Sequence, residues 1–229
     1  MQARKLHDWD VSPAEARRLQ EELASRVTLK PLPPHVELVA GADVSFSREL
    51  GTVFAAVLVF RFDDMKVLEQ ALAHASARFP YVPGLLTFRE GPAVLKAFGK
   101  LRHKPDAVIF DGQGYAHPRR IGLACHMGLW LGLPTVGCAK SRLIGEHAEP
   151  GRRRGDCTPL LDNGEQIGVA LRTRDNVKPV YVSPGHLADF PSSVRLVLDC
   201  GRGYRLPEPT RQAHITVQSW KRECVLRGG

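Results

Sequence analysis

The pattern of apolar and polar positions divides the chain into strands and helices of distinct kinds. Residues 38–46, Leu-Val-Ala-Gly-Ala-Asp-Val-Ser-Phe, and 52–62, Thr-Val-Phe-Ala-Ala-Val-Leu-Val-Phe-Arg-Phe, are strand-length and almost wholly apolar. That is the pattern of strands buried on both faces. A third strand is predicted over 66–74. The tips between them, at Glu49-Leu50-Gly51 and Phe62-Asp63-Asp64-Met65, are short, which predicts antiparallel hairpins. Further strands are predicted at 107–110, 133–138, 166–172 and 180–182. Ser12, Pro13 and Glu15 form a helix-start signature, and the helix should run to about Val27 with Ala16, Leu19, Leu23 and Ala24 on one face. It reads as a peripheral cover for a sheet. A second helix is predicted from 87–92 to about 101, burying Val94, Leu95 and Phe98, and a third from about 120 to 131. Ser183-Pro184-Gly185-His186 reads as another helix start, 192–198 as a helix, and 206–210 as the start of the last one, which carries His214. Three meandering strands followed by helix–strand–helix units give an α/β fold, a mixed sheet flanked by helices. No repeat, low-complexity linker or domain boundary interrupts it, so one domain over 1–229 is expected, with a frayed basic tail from about 218.

Composition adds a partner class and a compartment. The 229 residues are enough for a full core, and 43% hydrophobic with 24% charged residues is ordinary for a globular protein. Lys and Arg exceed Asp and Glu by 32 to 24, a net charge of +8, which favours a polyanion such as nucleic acid. The five cysteines are odd in number, widely spaced and without a Cys-x-x-Cys, so reduced, buried thiols in a cytoplasmic protein are expected. The first ten residues lack an apolar signal core, and no apolar run is long enough to span a membrane.

Candidate chemistry lies in three acids. Asp43 sits in a run that reads as buried, Glu90 near a helix start, and Asp111 where the run 107–110 must end. Gly112 and Gly114 follow Asp111 and allow a sharp turn or close approach. If the first strand lies beside the strand ending at Asp111, the two aspartates face each other. Carboxylates gathered without bases repel, and a divalent cation relieves that; oxygen ligands suit Mg²⁺, or Mn²⁺ in its place. A basic protein with such an ion points to phosphodiester hydrolysis. Singly, each acid has a plainer reading as a solvated or helix-capping carboxylate. Lys140 and Arg142 follow the strand 133–138 on the same edge, where Lys140 either holds a phosphate or is an ordinary solvated lysine, and Arg152, Arg153 and Arg154 form a basic loop that suits phosphate contacts or is simply solvated. In Phe79-Pro80-Tyr81-Val82-Pro83-Gly84, two prolines stiffen a loop with an aromatic tip, either a wedge between bases or a rigid turn with Tyr81 packed on its own domain.

Four motifs in fixed order carry a resemblance. They are Val39-Ala40-Gly41-Ala42-Asp43-Val44-Ser45, the run from Pro80-Tyr81-Val82-Pro83-Gly84-Leu85-Leu86 through Phe88-Arg89-Glu90-Gly91-Pro92, Asp111-Gly112-Gln113-Gly114 with His117-Pro118-Arg119, and Leu206-Pro207-Glu208-Pro209-Thr210-Arg211 with His214. The chain resembles the endonuclease V family, repair nucleases for deoxyinosine, from about residue 10 to 217. The resemblance implies an RNase H-like fold, strands one to three antiparallel and later ones parallel. It implies Asp43, Asp111 and Glu90 as metal ligands, Glu90 being also the third catalytic acid, with His214 beside the metals and Lys140 at the scissile phosphate. Pro80, Tyr81, Val82 and Pro83 match the strand-separating wedge. Backbone at Gly84, Leu85 and Gly112 would form the lesion pocket, and His117, Arg119, Lys140 and Arg142 would contact phosphates. The implied reaction is Mg²⁺-dependent cleavage of the second phosphodiester 3′ to hypoxanthine, on DNA or on inosine-containing RNA, by a monomer.

Hypoxanthine shares the O6 acceptor and N1–H donor of guanine but lacks its 2-amino group, so a pocket closed near C2 excludes guanine sterically and adenine by unmet hydrogen bonds. Three other readings stay open on the residues alone. They are another RNase H-like nuclease, such as a junction resolvase or an excision-repair incision enzyme, a non-catalytic nucleic-acid-binding domain, and a metal phosphatase.

Overall fold

Alternate residues of one strand go to opposite sides of the molecule. In β2 (Thr52–Arg61), Val53, Ala55, Val57 and Val59 pack against α2 (Leu86–Gly99), in a cluster that also takes in residues of α3 (Leu123–Leu131). Phe54, Ala56, Leu58 and Phe60 face α5 (Glu208–Leu226) instead, within a cluster that residues of α4 (Phe190–Asp199) complete from the far side of the sheet's centre. This explains the unbroken apolar run: both faces of the strand are covered, so a polar residue has nowhere to face water. Phe60, Phe88, Phe98 and Phe110 are among the large side chains less than 2% exposed, each stabilising the fold by about 1.5–3 kcal/mol. Val57→Asp would leave an unpaired charge between sheet and helix and should break the fold.

The computed structural model describes residues 3–227. Strands β1 (Leu38–Ser47), β2 and β3 (Val67–Ser76) form the expected antiparallel meander. β4 (Ala107–Phe110) and β5 (Thr135–Ala139) extend the other side of β1 in parallel. Three strands then continue the sheet antiparallel, β8 (Val180–Pro184), β7 (Glu165–Leu171) and β6 (Cys157–Asp162), giving the order β3-β2-β1-β4-β5-β8-β7-β6. Parallel pairing is therefore confined to β1, β4 and β5. No helix among the described residues is long and apolar enough to cross a membrane.

Several expected boundaries shift, each for a local reason. The first helix, α1 (Pro13–Ala24), has the predicted capping box but ends before Val27. α3 starts at Leu123 rather than near Arg120, because Arg120 has φ +55° and ties its guanidinium to Asp162 and Glu165. No helix starts at Ser183: the Ser183 hydroxyl accepts the Gly114 N–H at 2.8 Å and the Pro184 carbonyl accepts the Tyr115 N–H at 2.7 Å, which keeps this stretch extended. β6 escaped the sequence pattern because its exposed edge, with Pro159 inside it, lacks a buried period. The tail is helical to Leu226, anchored by Trp220 edge-on to Phe54 at 5.0 Å; residues 228 and 229 lie outside the described part. Of the five thiols, all free, Cys125, Cys138 and Cys200 are buried as expected, but Cys157 is exposed and Cys224 half-buried.

Candidate active site

The parallel register of β1 and β4 brings the first two acids together. Ala42 pairs with Phe110, so Asp43 and Asp111 are the next residue on each strand, and the Asp111 N–H donates to the Ala42 carbonyl at 3.0 Å. By alternation Asp43 shares a face with Gly41, the side on which α5 lies. A Cβ on Gly41 would overlap the Pro209 carbonyl, so only glycine lets the start of α5 rest on the strand. From that contact α5 carries His214 over Asp43, with Nδ1 2.7 Å from Oδ2. Lys140, just past β5, places Nζ 2.5 Å from Asp111 Oδ2 and 3.5 Å from His214 Nδ1.

Ligand atoms of Asp43, Asp111 and His214 all lie within 4.8 Å of one another. Burial, and then the charge of Asp111, push the Asp43 carboxyl up to about 6, although His214 pulls the other way. Glu90 reaches the same cavity from the second turn of α2, one turn further into the helix than its sequence position implied. Burial, then Asp43, push it up to about 8, with Asp111 adding to the effect and Arg89 opposing it. Carboxylates that raise one another in this way fit a bound cation, and two carboxylates with an imidazole are a donor set for a divalent ion. Glu90, expected as a metal ligand, stands outside the close trio, and His214 occupies that third place.

The cavity is about 470 Å³, within the range of small-ligand pockets of roughly 300–1,000 Å³ and of a size for one nucleoside. Asp43, Glu90, Asp111, His214, Lys140 and Arg142 line it together with Tyr81, Pro83, Gly84, Gly112 and His117. Tyr81 is 69% exposed, so it does not pack on its own domain. Val82 beside it is anchored against Phe79, Leu85 and Phe88, which leaves the ring as a stiffly mounted aromatic surface. Leu85, expected in the lesion pocket, is wholly buried in that cluster and is not among the residues that line the cavity.

His117 and Arg119, expected at phosphates, have other partners. His117 Nε2–H donates to the Gly84 carbonyl at 2.9 Å, while its Nδ1 accepts the Arg119 backbone N–H at 3.2 Å. Burial, then the nearby Arg119 and Arg120 charges, hold His117 down to about 4, so the ring is neutral and this tautomer is fixed. The Arg119 guanidinium also donates to the Gly84 carbonyl, at 3.0 Å. Both residues therefore shape the loop after Pro83, leaving Lys140 and Arg142 as the cationic lining from the expected phosphate set.

Three residues near the site were not singled out from sequence. Gln113 donates to the Ser141 carbonyl at 2.9 Å, steadying the turn after Lys140. Arg205 donates to the carbonyls of Lys140 at 2.7 Å, Pro179 at 2.7 Å and Lys178 at 2.9 Å. Gln20, wholly buried on α1, donates to the Gly84 carbonyl at 3.0 Å. A signal for Gln20 did exist, a polar residue on the apolar face shared by Ala16 and Leu23.

A family model for endonuclease V matches residues 21–215. The chain is 51% identical over 227 residues to the endonuclease V of Methanothrix thermoacetophila, covering 99% of each chain. Among solved structures, the endonuclease V of Streptomyces avermitilis superposes with a TM-score of 0.91 at 40% identity, covering 98% of this chain and 100% of that one. The endonuclease V of Ciona intestinalis, crystallised with a 23mer DNA containing an inosine followed by a ribo-adenosine, superposes with a TM-score of 0.80 at 25% identity, covering 93% of this chain and 99% of that one. On sheet, site and similarity together, the chain belongs to the endonuclease V family.

Proposed function

We propose that the protein is a Mg²⁺-dependent endonuclease that takes hypoxanthine into the cavity beside Gly84 and hydrolyses the second phosphodiester on its 3′ side. The observation that carries this is the trio Asp43, Asp111 and His214, with ligand atoms within 4.8 Å of one another in a cavity whose rim holds the exposed Tyr81. Asp43 and Asp111 would hold the ion with His214, Glu90 acting as the third acid at its edge, and Mn²⁺ able to substitute. Bound there, the ion supplies Lewis acidity toward a phosphate oxygen and makes water more acidic.

The remaining work belongs to the side chains. The Lys140 ammonium, held by Asp111, meets the negative charge gathering at phosphorus, and Arg142 adds a second cation on the same wall. His214 keeps one nitrogen against Asp43, which fixes the ring. Tyr81 stacks where the base has left the helix, and unstacking a mispaired base costs least. Gly84 and Gly112 both line the cavity, which supports reading them as the wall against which the base is shaped.

The test is strand nicking of a duplex with one inosine beside an adenine control, with Mg²⁺ or with chelator. The expected result is Mg²⁺-dependent cleavage one nucleotide beyond the inosine. Equal cleavage of both duplexes would overturn the lesion assignment, and cleavage in chelator would overturn the metal. The same assay on an inosine-containing RNA decides the nucleic acid.

A further inference from the structure

The Gly84 carbonyl accepts from three side chains at once: Gln20 Nε2 at 3.0 Å, His117 Nε2 at 2.9 Å and an Arg119 guanidinium nitrogen at 3.0 Å. A carbonyl oxygen has two lone pairs, so this one is saturated. The next peptide N–H, of Leu85, is also used, donating to the Val82 carbonyl at 2.9 Å. The peptide unit between Gly84 and Leu85 is thus satisfied from within the protein.

Gln20 closes this arrangement. Its Oε1 accepts from Arg119 Nε at 2.6 Å, so the amide bonds Gly84 with one end and the arginine that also bonds Gly84 with the other. The three residues form a ring of hydrogen bonds around one oxygen. Gln20 is wholly buried on the helix that the sequence assigns to simple cover. A buried glutamine is justified only by partners, and here they are Gly84, which lines the cavity, Arg119, which bonds the same Gly84 carbonyl, and the Ile121 carbonyl at 3.5 Å. Gly84 itself has φ +77°, and a Cβ there would stand 3.1 Å from the Arg119 guanidinium. The loop is therefore held in a conformation that only glycine adopts readily, with the donors packed close around it.

We propose that Gln20 is a specificity-determining positioning residue: through the Gly84 carbonyl and Arg119 it fixes the wall against which the base is read. This rests on the proposed function, since it names how that site discriminates. Gln20 does not line the cavity and acts through the Gly84 carbonyl. Reading a base by shape needs a wall that does not yield, and misplacement by about 1 Å costs on the order of 100-fold in rate.

The test uses the full chain with Mg²⁺, in two variants. Gln20→Met fills the same space without hydrogen bonds. Gln20→Glu keeps an acceptor for Arg119 but repels the Gly84 carbonyl. Three quantities are read for each: single-turnover cleavage of an inosine duplex, cleavage of the adenine duplex, and affinity for the undamaged duplex by fluorescence anisotropy. The expected result is that both variants lose inosine-over-adenine preference by at least about tenfold, with affinity for undamaged duplex within about twofold of wild type. A merely structural role would lower inosine cleavage and undamaged-duplex affinity together, and that result overturns the proposal. Full preference retained in either variant also overturns it. If the wild-type protein shows no inosine preference, the proposed function fails first, and the inference with it.

Discussion

The clustered acids predict a stability that depends on pH and metal together. Asp43 is 7% exposed, and its carboxyl moves from 3.8 up to about 6 through burial and then Asp111. A shift of about two units corresponds to roughly 3 kcal/mol between its protonated and ionised forms. The sign follows from proton counting. Between the unfolded and folded values the native state binds more protons than the unfolded state, so stability falls as pH rises through that window. The contribution is intact below 3.8 and lost above about 6. The perturbation is Asp43→Asn, which removes the titration and nearly preserves the shape. Thermal melts in chelator at about pH 4 and about pH 7.5 give the difference between wild type and variant, which cancels carboxylates remote from Asp43, while Glu90, raised in part by the Asp43 charge, shifts in the same direction. On going to the higher pH that difference should move in favour of the variant by roughly 3 kcal/mol, or about 6–12 °C at about 2–4 °C per kcal/mol for this chain length. Mg²⁺ at the higher pH should raise the wild-type melting temperature and leave the variant almost unmoved. A difference unchanged between the two pH values, or an equal Mg²⁺ response in both proteins, would refute the reasoning.

Lys140→Met should lower single-turnover cleavage on the order of 100-fold with duplex affinity little changed, since it removes one positioned cation from the charge that develops at phosphorus. Arg205→Lys, which loses the planar fork over three carbonyls, should lower cleavage in the wild-type background and do nothing further in Lys140→Met; equal losses in both backgrounds would show that it acts elsewhere. Tyr81→Ala should weaken binding of the inosine duplex by about 1–3 kcal/mol while leaving the melting temperature in place, because the ring is 69% exposed. Gly41→Ala should destabilise by about 1–3 kcal/mol and reduce cleavage as well, since its methyl displaces the start of α5 and with it His214, as melts and nicking on one preparation would read.

Much of this was legible because the chemistry sits on regular structure. Asp43 and Asp111 end up side by side for a reason readable from two apolar runs and one parallel pairing. The hairpins of β1 to β3 follow from short polar tips. His214 is different: periodicity says that it is on a helix, and only the close approach at Gly41 says where the helix lies. His117 and Arg119 were expected at phosphates because a cation next to a glycine-rich turn reads as a phosphate contact, whereas in the structure both donate to the Gly84 carbonyl. Gln20 was passed over because α1 looks complete as cover. Strand β6 and the extended course of Ser183 and Pro184 depend on long-range hydrogen bonds that no local pattern encodes.

The saturated carbonyl at Gly84 separates two tasks by where they are anchored. Cutting is fastened to the ladder of β1, β4 and β5, whose spacing the backbone sets and whose neighbours leave it no slack. Reading is fastened to side chains of α1 and of the turn after β4, which meet in one atom of a loop. On that reading, exchanging Gln20 changes the loop that shapes the base while the β1–β4 pairing that brings Asp43 and Asp111 together keeps its register.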